Sequence, residues 1–500
     1  PDYLDTGSIG GYGDSLNLYL TDKIESTLSG GVVDINVPFG SIFDKNGDTN
    51  NITSTDLILS ARDGIGSGNA LETEVSNLQA DNTVSGNIEI DNTGDLFAQS
   101  VINLGDDVYL TVASDLNLGY VYGADIYLTA LSGGIYDVVP DFAPNIEGVN
   151  LYLDAVDSIG DVSISSLEDL LHMSSYAGMI DTEVDTIEAN SDNGNIFLLE
   201  QDEVALNNFY SGGGIIGVGT GGNTTIDTMQ AGAVFPGSPW ASLIAVLSLG
   251  DITADNVWAY GDDIAAVLLA SAGELTANDV GAKSDFLSGV GLLSVGDLTT
   301  NNVQAIGDIA AVLGVSLYGD IYANSITAEG DNLGGILLGA GEGDITLGDL
   351  EANNFIAAIA LGLDDEANIY DDGDVITDYL ALIAKNDIGE DSTPIQTNVD
   401  YLTAYSFDEG DIYINETDNI QLGFDMPFDI PTNIPIDTLM GFGGGGSWPT
   451  INDIVTSVGI PALPDPLVDL PVAVEAGSIY VTATEDIDVY RVKATDTVDL

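Results

Sequence analysis

Residues 250–257 read GDITADNV, and the same pattern returns as GELTANDV, GDLTTNNV, GDIYANSI and GDITLGDL. The leading glycines are Gly250, Gly273, Gly296, Gly319 and Gly343, a 23-residue period with one extra residue before the last copy. Aligned on that glycine, position 3 holds Ile252, Leu275, Leu298, Ile321 and Ile345. Position 8 holds Val257, Val280, Val303, Ile326 and Leu350, and position 10 is alanine in all five copies. Positions 18 and 20 carry Val267/Leu269, Val290/Leu292, Leu313/Val315 and Ile336/Leu338. Apolar residues alternate within each segment, which is the period of a strand, and Gly, Asn and Asp punctuate the segments as turns require. No segment carries a sustained 3.6-residue stripe with caps.

A 23-residue unit of three short strands cannot bury its own inner face, but copies stacked on one another can. The pattern therefore predicts an all-β fold, a single-stranded parallel β-helix with about 23 residues per coil. Each unit forms one coil, successive coils hydrogen-bond at about 4.8 Å, and the apolar positions stack inside. Position 6, with Asp255, Asn278, Asn301 and Asn324, is placed to form an amide ladder at a corner.

Longer copies bracket these coils. Leu71–Ala80, Ile180–Ala189 and Ile395–Ala404 repeat one segment, and each is followed by a G-[DN]-I strand at Gly86, Gly194 and Gly410. The expected organisation is one solenoid over residues 1–422 that resumes over 475–500. Between them, residues 423–474 hold eight of the fifteen prolines and the run Gly443–Gly446. Proline cannot donate to a ladder, so this stretch is expected to leave the solenoid, lying against its flank or projecting.

Composition narrows the function. With 45% hydrophobic residues an apolar core is available, while 81 acids against 7 bases give a formal charge of −74. Such a charge argues against nucleic acid, which needs Lys and Arg to displace counterions, and against docking on anionic lipid. It suits a protein bathed in salt or divalent cations. The absence of cysteine excludes disulfides and thiolate metal sites. His172 is the sole histidine and no motif surrounds it. No signal-peptide pattern opens the chain, which reads as a mature or excised piece. The longest uncharged run, Thr228–Gly250, is broken by Pro236, Gly237 and Pro239, so no membrane span is expected.

Two stretches, Asp56–Asn92 and Tyr379–Leu422, resemble the coils of filamentous-haemagglutinin-like giant surface adhesins. The shared features are the apolar alternation, the -IG- turn, the V-x-x-L-x-A segment and the G-[DN]-I strand after it. The resemblance implies a secreted or surface-displayed right-handed β-helix serving as stalk, fibre or adhesin. Independently of the resemblance, a bare solenoid end is an unpaired strand edge that recruits partners. The expected partners are therefore further copies of the chain stacked head to tail in a self-assembling filament, or else a surface polysaccharide or protein ligand.

Two acidic columns need explaining. Position 2 carries Asp251, Glu274, Asp297, Asp320 and Asp344, and position 13 carries Asp262, Asp285, Asp308 and Asp331. Stacked in register, each neighbouring pair repels by about 0.9 kcal/mol in water. Three effects can offset this: backbone N–H donors at the turns, screening by mobile cations, or bridging by a hard cation such as calcium. Gly10–Leu16 is similar to a β-roll calcium nonapeptide with its Asp14 one position early. No cofactor is required by this reading, and calcium at the acidic columns is the one metal it entertains.

Catalysis is not expected. Polysaccharide lyases on this fold use Arg or Lys as base, and the only arginines, Arg62 and Arg491, lie far apart in sequence. A hydrolase needs two or three carboxylates, but with 81 acids their presence discriminates nothing. Tyr109, Tyr120, Tyr122 and Tyr127 read as strand residues, with a sugar-stacking stripe as the alternative.

Overall fold

In the computed structural model, the described residues are 31–138, 143–162, 178–232, 240–362, 366–423 and 474–500, apart from positions 46, 409, 485 and 490, together with three strand pieces before residue 31. Every described regular element is a strand, and every ladder between strands is parallel. The described residues form two compact units, one ending at Asn223 and one beginning at Thr224, and each is a β-solenoid in its own right. Residues 424–473, where the excursion was expected, lie outside the described residues, as do His172 and most of Gly10–Leu16.

In the second unit the glycine-aligned positions stack as the repeat requires. Ile252, Leu275, Leu298, Ile321, Ile345 and Ile369 pair in succession, and isolated bridges and one further ladder carry the row through Ile388 and Ile412 to Ile479. None of these nine side chains is more than 1% exposed. Position 8 forms a parallel row, Val257 to Leu350 and on to Val375, and the position 10 alanines form a third. Each buried aliphatic side chain contributes about 1.5–3 kcal/mol, so the continuous rows are what hold coil to coil.

The expected three short strands per coil appear as two ladders. Ile252–Tyr260 is continuous, but its alternation inverts at Asp255–Asn256, where two successive residues face outward. The strand turns a corner there without leaving the ladder. In the first unit the three sides are more often separate strands, as in Leu116–Leu118, Val121–Tyr122 and Asp125–Ala130.

One set of inward positions differs from expectation. In the third coil Val312 and Gly314, not Leu313 and Val315, continue the rows of Val290 and Leu292. This coil is one residue shorter between its corner and Ile309, and a register shift follows between Gly307 and Ile309 in the next pairing. Because side chains alternate with period two, a one-residue change exchanges inside for outside. Leu313 and Val315 are accordingly half-exposed.

Candidate functional site

The acids of position 2 are engaged in coil-to-coil hydrogen bonds. The Glu274 N–H donates to Asp251 Oδ1 at 2.8 Å, Asp320 N–H to Asp297 Oδ1 at 2.9 Å, and Asp344 N–H to Asp320 Oδ1 at 2.9 Å. The series runs on beyond the five copies. Asn368 N–H donates to Asp344 at 2.7 Å, Asp387 N–H to Asn368 at 3.0 Å, Asp411 N–H to Asp387 at 2.7 Å, and Ser478 N–H to Asp411 at 2.9 Å. The same device recurs in the first unit, where Asp125 N–H donates to Asp107 and Gly134 N–H to Asp115.

The backbone explains why an acid belongs there. The carbonyl of each of these residues accepts the N–H of the following aliphatic residue one coil earlier, as in Ile321 N–H to Asp344 O at 2.9 Å and Leu298 N–H to Asp320 O at 2.8 Å. At this corner the ladder supplies no carbonyl for the acid's own N–H, and the preceding coil's carboxylate takes that place. Each hydrogen bond accepted in this way offsets part of the repulsion along the column. The leading glycine follows from the same crowding. A Cβ on Gly273 would meet Asp251 Oδ1 at 2.0 Å, and one on Gly319 would meet the Asp297 backbone nitrogen at 2.4 Å.

The series has one interruption. No hydrogen bond links the Glu274 carboxylate to the Asp297 N–H among the described residues. Glutamate carries an extra methylene, and its Cγ lies 3.3 Å from where a Cβ on Gly296 would be. Asn368, Asp387 and Asp411 lie outside the 23-residue register and escaped the repeat alignment. Their signal is the dipeptide, an Asx or Glu directly before the inward Ile or Leu.

Position 13 behaves differently. Asp262, Asp285 and Asp331 are exposed and Asp308 half-exposed; Asp285 N–H donates to Asp262 O at 3.0 Å, and a register shift falls at Asp308. None of the four carboxylates is tied to the next coil. Among the described residues, no three acidic or histidine side chains of either column converge as a group that could hold a metal ion. The position 6 ladder forms as expected: Asn278 donates to Asp255 at 2.5 Å, Asn301 to Asn278 at 2.6 Å, and Asn324 to Asn301 at 2.8 Å.

Two acids are buried at corresponding places in the long copies. Glu200 accepts from Thr182 Oγ1 at 2.6 Å, Val184 N–H at 3.2 Å and Gln201 N–H at 2.8 Å. Glu416 accepts from Thr397 Oγ1 at 2.7 Å, Val399 N–H at 3.2 Å and Thr417 N–H at 2.8 Å. In the earliest copy Asn92 fills this place, accepting from Thr73 and Val75 N–H, each at 2.9 Å. Burial pushes Glu200 up to about 7 and raises Glu416, against the pull of these donors. Glu72 is also pushed up to about 7, first by desolvation and then by the charges of Asp44 and Asp91.

The tyrosines stack on each other. Tyr109, Tyr127 and Tyr152 lie face to face at 4.6 and 4.4 Å between ring centroids, and Tyr379 and Tyr401 at 4.8 Å. Successive coils occupy the ring faces that a sugar would need, so these rows consolidate the sheet. A shallow cleft of about 390 Å³ is lined by Asp106, Tyr122, Glu147 and Glu183 among others, with no base to complement its acids.

The fold and these side chains define a β-solenoid repeat protein whose most regular polar features serve coil stacking. No family model, curated protein or solved structure matches the chain.

Proposed function

We propose that the protein is a structural spacer, a segment of an extracellular stalk or fibre of the filamentous-haemagglutinin-like kind. The observation that carries this reading is the use of the position 2 acids. Their oxygens accept the next coil's N–H groups, so the chain's most regular chemical feature builds length. A strongly anionic exterior keeps neighbouring molecules apart and suits a saline setting. Mobile cations suffice to screen the position 13 column, and a role for calcium is confined to strengthening that screening. The position 2 acids are engaged structurally, and no catalytic role is proposed for either column.

Electron microscopy of the purified chain tests the reading. Isolated particles are expected, and continuous fibres would favour a self-assembling filament. Release of reducing ends from acidic or neutral polysaccharides would overturn the structural role.

A further inference from the structure

Glycine directly follows Asn or Asp at Asn46–Gly47, Asp63–Gly64, Asn193–Gly194 and Asp372–Gly373. Such a pair can react with itself. The glycine nitrogen, unhindered by a Cβ, attacks the side-chain carbonyl carbon and closes a five-membered succinimide. In a flexible peptide asparagine reacts faster than aspartate, so the sequence ranks Asn193 above Asp372. Asn46 lies outside the described residues.

The structure reverses that order. Gly194 is buried, and its N–H donates to Ser191 Oγ at 3.0 Å. Gly64 is buried too, and its N–H donates to Asn82 Oδ1 at 2.9 Å. The Asp63 carboxylate is itself held by Arg62 at 2.9 Å and by Ser85 Oγ at 3.1 Å. Each of these nitrogens must leave its bond before it can attack, so reaction waits on local opening. Asp372 and Gly373 differ. They form the two-residue corner between Ile369–Asp371 and Asp374–Ala384. Asp372 is exposed, and neither its carboxylate nor the Gly373 N–H has a hydrogen-bond partner among the described residues.

The reactive pair is enforced by coil stacking. A Cβ on Gly373 would meet the Gly348 carbonyl carbon at 2.4 Å, so no larger residue fits behind Asp372. Both sides of the pair are anchored to neighbouring coils. Asp371 Oδ1 accepts the Gln396 N–H at 2.9 Å, and the Asp374 N–H donates to Asp349 Oδ1 at 3.2 Å.

We propose that Asp372 is a self-modification site, where aspartate converts to isoaspartate as the folded chain ages. The conversion needs only water. With the carboxyl neutral, the Gly373 nitrogen bonds to Asp372 Cγ, the Cγ–O bond breaks, and the hydroxyl leaves as water with the amide proton. Water then opens the ring at either carbonyl. Opening at the main-chain carbonyl routes the backbone through the side chain and lengthens it by one methylene. Ladders to Ile345–Ala352 and Ile395–Ser406 fix the corner on both sides, so the added length displaces Asp371 or Asp374 from its partner.

The test incubates the full chain for weeks at neutral pH, folded and in urea, and maps isoaspartate by electron-transfer fragmentation. In the folded chain residue 372 should carry about ten-fold more isoaspartate than 63 or 193, the factor that freedom from one hydrogen bond supplies. In urea residue 193 should lead. The same ranking in both states, or no isoaspartate at 372, would overturn the proposal. Asp372→Glu cannot close the five-membered ring and serves as the control. After equal ageing, hydrogen exchange across residues 395–406 should be several-fold faster in the wild type than in this variant. Equal exchange would refute the displacement of Asp371 and Asp374.

Discussion

Asp320 offers a sharp test of the acid column. It accepts the Asp344 N–H on Oδ1 at 2.9 Å and the Tyr322 hydroxyl on Oδ2 at 3.0 Å, while its own N–H reaches Asp297. Asp320→Ala removes the acceptor and leaves the Asp344 N–H unpaired at a part-buried corner, which costs about 1–3 kcal/mol. It also removes repulsion from Asp297 and Asp344, about 0.9 kcal/mol for each neighbour at one coil spacing in water. The terms oppose, so alanine should be destabilising by about 1 kcal/mol at moderate salt, where screening has reduced the relief. Asp320→Asn separates them, since it keeps the oxygen and drops the charge, as Asn368 does naturally in this column. Asparagine should be neutral, or stabilising by about 0.5–1 kcal/mol at low salt. The assay is hydrogen exchange of the peptide spanning residues 341–350. Its slowest amides should exchange about 5- to 10-fold faster in the alanine variant and at the wild-type rate in the asparagine variant. Equal exchange in the two variants would refute the claim that the side-chain oxygen stands in for a missing backbone carbonyl.

Other outcomes follow from the same geometry. Glu274→Asp should complete the interrupted series and raise stability by about 0.5–1.5 kcal/mol, read as a higher denaturation midpoint. Val312→Ala should cost about 1–3 kcal/mol and Leu313→Ala distinctly less, because the register shift turns Val312 inward; the reverse order in denaturant melts would contradict the register. Glu200 has its carboxyl raised from 4.5 to about 7, so its neutral form is favoured on folding. Its contribution is therefore fully present below about pH 4.5 and lost as pH rises through about 7, a difference of about 3 kcal/mol. Glu200→Gln should flatten the stability profile across that window, and an unchanged slope would show that the carboxylate is already ionised. Finally, melting temperature should rise with NaCl alone at low ionic strength, and a chelator at fixed salt should leave it unaltered; a fall with chelator would point to a specific divalent site.

The period, the inward rows at positions 3, 8 and 10, and the corner ladder from Asp255 to Asn324 were legible in the sequence by itself. They are local matters: alternation with period two sets which side chains face in, and a fixed spacing stacks like on like. The tertiary structure alone decided what Asp251, Asp297, Asp320 and Asp344 do. The N–H they accept belongs to a residue one coil away, and its want of a carbonyl exists only once the corner is built. The same holds for the exchange of Val312 for Leu313, which depends on a shortened corner, and for the burial of Glu200 and Glu416 behind donors from the coil before. It holds equally for the uncharged strands of the second unit that run from Ala241–Ser248 to residues 401–406. Sequence shows apolar residues in alternate places there and between them, but only the stacked sheet assigns them to two faces, one filling the core and one facing outward.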